Sequence, residues 1–265
     1  MHTLEDDLGE LITLTRAPAR VVSLVPSLTE ALAVSVPHVL VGATEWCTHP
    51  DDLDVARVRG TKNPDHAAIA ALRPDVVVAN REENRRVDVE RLRAAGIPVW
   101  VTAIESVDQA LHSLKRLLVD LLDAGEPTWL TDAEATWRRP PEFAGFGVVV
   151  PIWRDPWMVV GPSTFAGDMV ARLGLVNVAN GADERYPKLT PAELVALGPT
   201  VVLLPDEPYP FTGDDGPEAF PDLVPVLVSG RDLTWYGPSM ATARAELVDR
   251  ITAALAGDGR EPPGL

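Results

Sequence analysis

One local pattern occurs twice in this chain, and it restricts the fold more than any other feature. Residues 69–79 read IAALRPDVVVA and residues 194–204 read LVALGPTVVLL. Five of the 11 positions are identical: Ala71/Ala196, Leu72/Leu197, Pro74/Pro199, Val76/Val201 and Val77/Val202. The apolar spacing before each proline suits a helix, the proline stops it, and the Val-rich run behind suits a buried strand. Each half also sends a strand-like run into a Pro-Ser step, 22–25 into Pro26-Ser27 and 158–160 into Pro162-Ser163. Two matched segments in the same order indicate two related lobes.

The remaining elements fit an α/β class with mostly parallel sheets. Short apolar runs at 20–25, 39–44, 75–79, 98–102 and 147–152 read as strands. Helices fall between them at 28–34, 64–72 and 87–95, with Ser27 as a cap, Glu30 in the first turn behind it and Gly96 at a helix end. Alternation of this kind builds layered parallel sheets. Residues 106–124 form the clearest helix: Ser106 with Gln109 fits a capping box, and Val107, Ala110, Leu111, Leu114, Leu117, Leu118, Leu121 and Leu122 mark one buried face. Thr131 with Glu134 is a second capping-box pattern, whose helix Pro140-Pro141 stops. The expected division is an N-terminal lobe at 1–104, a helical connector at 105–144 and a C-terminal lobe at 145–265.

Charge narrows the partners. Thirty-nine Asp and Glu against 23 Lys and Arg leave a formal net charge of −16. A nucleic-acid footprint needs clustered cations, and an anionic membrane repels this surface. The opening MHTLEDDLGE lacks the basic and apolar regions of a secretion signal, and no uncharged apolar run approaches the ~18 residues of a membrane span. A cytoplasmic protein with a small-molecule ligand, and with neither nucleic acid nor membrane as partner, is the expectation. A single cysteine, Cys47, excludes an internal disulfide and an all-cysteine zinc site.

In open α/β sheets, ligands lie outside the carboxyl ends of the strands. The segments behind the strands here hold Trp46, Cys47 and His49; Arg81; Trp153 and Trp157; and Tyr209. Lys62, Tyr186 and Trp235 stand on other loops or junctions. Aromatic rings gathered on loops suit a flat ligand held between them, although each can instead cover a lobe edge. Lys62 and Arg81 suit ligand carboxylates, with solvated surface charge as the bland reading. Cys47 and His49, at i and i+2, would share one side of an extended segment and reach a soft metal ion. Two ligands are too few for a closed zinc site, and a lone cysteine is commonly a buried apolar residue. No Gly-x-Ser-x-Gly elbow, phosphate loop, dinucleotide loop or His-Glu-x-x-His stretch is present. A non-catalytic binder that requires no cofactor is expected; the alternative is an enzyme or biosynthetic accessory working through Cys47 and His49.

The sequence resembles the helical-backbone substrate-binding proteins of ABC importers for cobalamin, haem and iron–siderophores. The resemblance spans roughly residues 5–255. It rests on Asp7-Leu8-Gly9, on Arg20-Val21-Val22-Ser23-Leu24-Val25-Pro26-Ser27-Leu28-Thr29-Glu30, on Val41-Gly42, on 69–78 and on Gly96-Ile97-Pro98-Val99. In the second half it rests on Gly161-Pro162-Ser163, Leu173-Gly174, Leu189-Thr190 and Leu197-x-Pro199. Trp46-Cys47-x-His49-Pro50 and the 205–211 stretch look like a soluble subgroup near the cobalamin-binding branch.

This resemblance implies two Rossmann-like lobes, a connecting helix and an interlobe cleft holding cobalamin, haem or an iron chelate. Trp46 and Tyr186 fall at matching aromatic positions, and His49 is a candidate axial ligand. Lys62 replaces a tryptophan of the cobalamin binders. The two glutamates that dock such proteins onto a permease align with Ala67 and Ala192, the latter beside Glu193. Importer docking is therefore doubted; the alternative is a periplasmic-type receptor without its signal.

Overall fold

The computed structural model describes residues 2–258. The chain forms two compact units. One takes in the chain as far as Ile104, with Asp108–Thr131 and Tyr236–Pro238. The other takes in Glu105–Val107, Asp132–Trp235 and the chain from Ser239 onward. The expected connector thus divides between the units instead of standing apart.

The first unit opens with a hairpin of β1 (His2–Glu5) and β2 (Leu11–Leu14). Its turn is held by two carboxylates with separate partners. Asp6 accepts the N–H groups of Leu8 and Glu10 at 2.9 and 3.0 Å and pairs with Arg93 at 3.0 Å. Asp7 accepts Ala103 N–H at 3.0 Å and the Arg116 guanidinium at 2.7 Å. Gly9 takes the positive φ of +85° that the turn requires.

The sheet of this unit is built from β3 (Val21–Ser23), β4 (Leu40–Ala43), β5 (Ala56–Arg57), β8 (Val76–Asn80) and β9 (Val99–Thr102). A small hairpin, β6 (Arg59–Gly60) with β7 (Asn63–Pro64), follows β5. The order is β5-β4-β3-β8-β9 and every pairing is parallel. Crossovers use α1 (Pro26–Ser35), α2 (His66–Ala71) and α3 (Arg86–Ala94). Val22, Leu24, Val77, Ala79, Val99 and Val101 are buried in one cluster with Ile69 and Leu92. Full burial of each large aliphatic side chain contributes about 1.5–3 kcal/mol.

The connecting segment holds α4 (Val107–Lys115), a π-helical stretch at Arg116–Leu121 and α5 (Thr128–Trp137). The unit boundary falls inside α5. In the second unit, β10 (Gly147–Val149) is followed by the hairpin of β11 (Pro151–Trp153) and β12 (Met158–Val159), then α6 (Phe165–Arg172) and β13 (Val176–Asn177). Next come α7 (Pro191–Ala196), β14 (Val201–Pro205), β15 (Val224–Val228), α8 (Gly230–Thr234) and α9 (Met240–Gly257). The sheet order is β13-β10-β14-β15, again with parallel pairing throughout.

Several expectations shift by a few residues for identifiable reasons. Pro26 enters the first turn of α1, where a missing N–H costs nothing, so Val25 is the cap and Ser27 lies inside the helix. Glu30 is then past the first turn and buried. Thr131 is likewise interior, because α5 starts at Thr128 directly after Pro127. The leucine-rich helix widens to π geometry, and Leu117, Leu118, Leu121 and Leu122 are all buried there. The run expected at 147–152 divides into β10 and β11.

The repeated sequence is a structural repeat: α2 leads to β8 as α7 leads to β14. In both units that strand pairs with the first strand of its sheet, β8 with β3 and β14 with β10. The residue following the helix end is left-handed in each, Arg73 at φ +48° and Gly198 at φ +75°. Glycine adopts this conformation without a Cβ clash and arginine does not. Arg73→Gly is expected to stabilise the protein by about 0.5–1 kcal/mol, read as an increased denaturant midpoint with an unchanged slope.

Candidate functional site

Each sheet reverses its winding once. In the first unit the chain moves from β3 outward to β4 and β5, then returns to the other side of β3 as β8. In the second it moves from β10 to β13 and returns as β14. Loops leave such a switch point in opposite directions, so a crevice opens at the strand carboxyl ends.

At the switch point of the first unit, buried amides hold the loops. Asn84 Nδ2 donates to the carbonyls of Leu24 at 3.2 Å and Thr61 at 3.1 Å, while its Oδ1 accepts Asn80 N–H at 2.9 Å. Asn80 Nδ2 donates to Thr102 Oγ1 at 3.0 Å, and Asn80 Oδ1 accepts the Glu82 N–H at 2.8 Å. These bonds tie the ends of β3, β8 and β9 to the segment behind β6. Arg81 is exposed on the loop so held. Lys62, also exposed, donates its ammonium to the Glu82 carbonyl at 2.6 Å. The Glu83 carboxyl is pushed up by burial, against the opposing charge of Lys62.

Trp46 stands behind β4 with 68% of its surface exposed. Its indole lies close over Gly60, so a side chain there would meet Nε1. Cys47 is fully buried, with Thr29 Oγ1 at 3.0 Å and Thr44 Oγ1 at 3.1 Å from its sulfur. Burial pushes the thiol up despite these hydrogen bonds. His49 is half-buried, its Nδ1 3.6 Å from Asp51. Burial leaves the Cys47 sulfur no exposed face toward a ligand, while the imidazole of His49 is half-exposed beside Asp51. Among the described residues, no group of three or more His, Cys, Asp or Glu could hold a metal ion.

The second unit presents a denser face. Trp153, 44% exposed at the end of β11, meets Tyr209 edge-on with centroids 5.7 Å apart. Tyr209 Oη donates to Asp215 Oδ2 at 2.7 Å. The next residue, Arg154, lies 5.3 Å over the Trp157 ring and bridges the carboxylates of Asp215 and Glu218, the latter at 2.6 Å. The Asp215 bond pushes the phenol pKa up and so resists its ionisation, and Glu218, with Asp215, pushes the guanidinium pKa up and so holds its proton. For Glu218 partial burial works upward, but the Gly216 N–H and Arg154 hold the carboxyl below its ordinary value.

Not every expected aromatic is on this face. Trp157 is buried, stacked on Phe211 at 5.7 Å and edge-on to Phe220 at 5.2 Å, so it supports the core. Trp235 is buried as well. Tyr186 is half-buried, 6.0 Å beneath the Arg185 guanidinium, in a segment that packs against Gly161. A groove of about 490 Å³ lined by Leu4, Leu14, Val119 and Leu121 shares no residue with either face. The Asn80–Asn84 pair and the Arg154–Asp215–Glu218 cluster were not chosen from the sequence. The only local sign of the former is an asparagine ending a Val-rich strand with another four residues on.

Two parallel α/β sheets with one switch point each, joined through a short helix, have the fold of a two-lobed substrate-binding protein of the helical-backbone class. The comparisons agree with that fold, and the chain is similar to binding proteins of this kind. The vitamin B12-binding protein of Pectobacterium carotovorum is 22% identical over 264 residues, covering 91% of both chains. An uncharacterised ABC transporter substrate-binding lipoprotein of Bacillus subtilis is 24% identical, over 77% of this chain and 69% of its own length. A periplasmic heme-binding protein of Pseudomonas aeruginosa superposes with a TM-score of 0.72 at 22% identity, over 93% of this chain and 95% of its own. No family model matches the chain. The relatives with a stated role are binding proteins, which accords with the expectation of a binder and not with catalysis through Cys47 and His49.

Three measurements check this geometry. Asn84→Ala leaves buried backbone groups unsatisfied and is expected to cost about 1–3 kcal/mol in denaturant unfolding. Cys47 is expected to resist thiol reagents in the native protein and to react fully on unfolding. A raised carboxyl pKa destabilises the fold once pH rises past the unfolded value, and the cost is complete above the folded value. Glu83→Gln is therefore expected to stabilise the protein at pH 7, with the gain vanishing below about pH 4, as measured by thermal melts across pH.

Proposed function

We propose that this protein binds a flat corrinoid, tetrapyrrole or metal chelate at the strand carboxyl ends, without chemical conversion and without a required cofactor. The observation that carries the proposal is the exposure of Trp46 behind β4 in one unit and of Trp153, packed edge-on against half-buried Tyr209, beside the switch point of the other. Large rings left in water at such a place favour a ligand that covers them. The B12-binding and heme-binding relatives support this ligand class.

The proposal extends to location and partners: a cytoplasmic binder that does not dock onto an importer through the aligned glutamate positions. In support, Ala67 is exposed on α2 and Ala192 is exposed on α7. Glu193 is committed elsewhere, its carboxylate accepting from Thr190 N–H at 2.7 Å and Thr190 Oγ1 at 2.8 Å in a capping box. Recovery of the native protein in the cell-envelope fraction would overturn this part and favour an importer receptor.

Cyanocobalamin, haemin and a ferric hydroxamate chelate, titrated while tryptophan emission is followed, test the binding. At least one should quench at micromolar concentration. Trp46→Ala is expected to weaken that binding by about 1–3 kcal/mol; no response to any of the three would sink the proposal.

A further inference from the structure

We propose that Asp215 and Glu218 determine the charge class of the ligand: by neutralising Arg154 they make the face of the second unit select an uncharged, amide-bearing flat ligand over one carrying carboxylates. This rests on the function proposed above and narrows it.

Arg154 is the cation adjoining the exposed Trp153, and a ligand carboxylate lying on that ring would find it as the nearest partner in sequence. Its guanidinium is already spent on two carboxylates while its plane lies over Trp157. To reach it, a ligand anion would have to displace partly covered Asp215 or exposed Glu218, and in either case would stand beside the remaining carboxylate. That exchange is unfavourable at close range. Tyr209 is engaged in the same cluster, its hydroxyl donating a hydrogen bond to Asp215. A neutral hydroxyl held this way is a poor phenolate ligand for a ferric ion.

The surroundings add to the bias. Asp155 lies beside Arg154 on the loop behind β11, Asp206, Glu207 and Asp214 lie with Asp215 and Glu218 on the loop behind β14, and Arg154 is the only basic residue within those two loops. Arg185, on the segment beside Gly161, pairs with Glu105 at 3.4 Å. Lys188, exposed on the segment whose backbone is bridged to Met158, is a cation outside those loops and works against the bias. An amide-bearing rim suits this arrangement, because its N–H groups can donate to carboxylate oxygens without separating them from Arg154.

The test compares cyanocobalamin, whose corrin periphery carries amides, with haemin, which carries two propionates. Dissociation constants are measured for the full chain and for Asp215→Asn, Glu218→Gln and the double variant, with circular dichroism as the folding control. The unaltered protein is expected to bind cyanocobalamin at least about tenfold tighter than haemin. The double variant, with Arg154 released, is expected to narrow or reverse that ratio by a further factor of about ten. Glu218→Gln alone, which leaves the Tyr209–Asp215 bond intact, should move it in the same direction, and this variant decides if the double variant does not fold. Tighter haemin binding by the unaltered protein, or a ratio unmoved by the substitutions, overturns this inference while leaving the function reading in place. Binding of neither probe, nor of the ferric hydroxamate chelate, overturns both.

Discussion

The reversal of strand order within each sheet is the constraint on which the rest of this protein depends. A parallel strand pair cannot be closed by a tight turn, so each crossover runs over a face of the sheet and delivers the chain back to the same edge of the strands. Where the winding changes direction, no crossover covers the strand ends. In the first unit the uncovered place lies between β3 and β8, and in the second between β10 and β14. Exposed Lys62 and Arg81 stand at the first of these places, with Trp46 behind neighbouring β4, and the Trp153–Tyr209 pair stands at the second.

The two units stabilise this edge by different chemistry. The first uses buried asparagine amides, which supply both donors and acceptors and so satisfy the carbonyls of Leu24 and Thr61 together with the Asn80 N–H. The second uses charge. Arg154, Asp215 and Glu218 form a local cluster whose members are only partly covered, and Tyr209 is drawn in through its hydroxyl. A neutral network fixes geometry without contributing net charge; an ionic cluster fixes geometry and also alters what an approaching ligand meets. The same structural problem is thus solved twice, and only one solution bears on ligand charge.

Much of the architecture was legible in the chain. The helix–proline–strand repeat announced two related lobes, and β3, β4, β8 and β9 fall within a residue or two of the expected runs, whereas the two-residue strands β5, β6 and β7 were not foreseen. Errors came at helix starts, where Pro26 and Pro127 outranked the capping residues Ser27 and Thr131. The site was less legible. Seven tryptophans look alike in one dimension, yet Trp46 stands in water, Trp157 stacks on Phe211 and Trp235 is buried. Cys47 and His49 looked like partners because they are two residues apart, but the thiol turned toward Thr29 and Thr44.

The sequence by itself determined the order and type of the central strands and of the helices between them, because periodicity, proline breaks and glycine ends act within a few residues of one another. Only the tertiary structure decided which rings remain exposed and which charges are already spent. Those outcomes depend on pairs far apart along the chain: Asn84 meets Leu24 across 60 positions, and Arg154 meets Asp215 across 61. Burial and ion pairing at that separation follow from where the sheet brings the strand ends, and no local pattern records them.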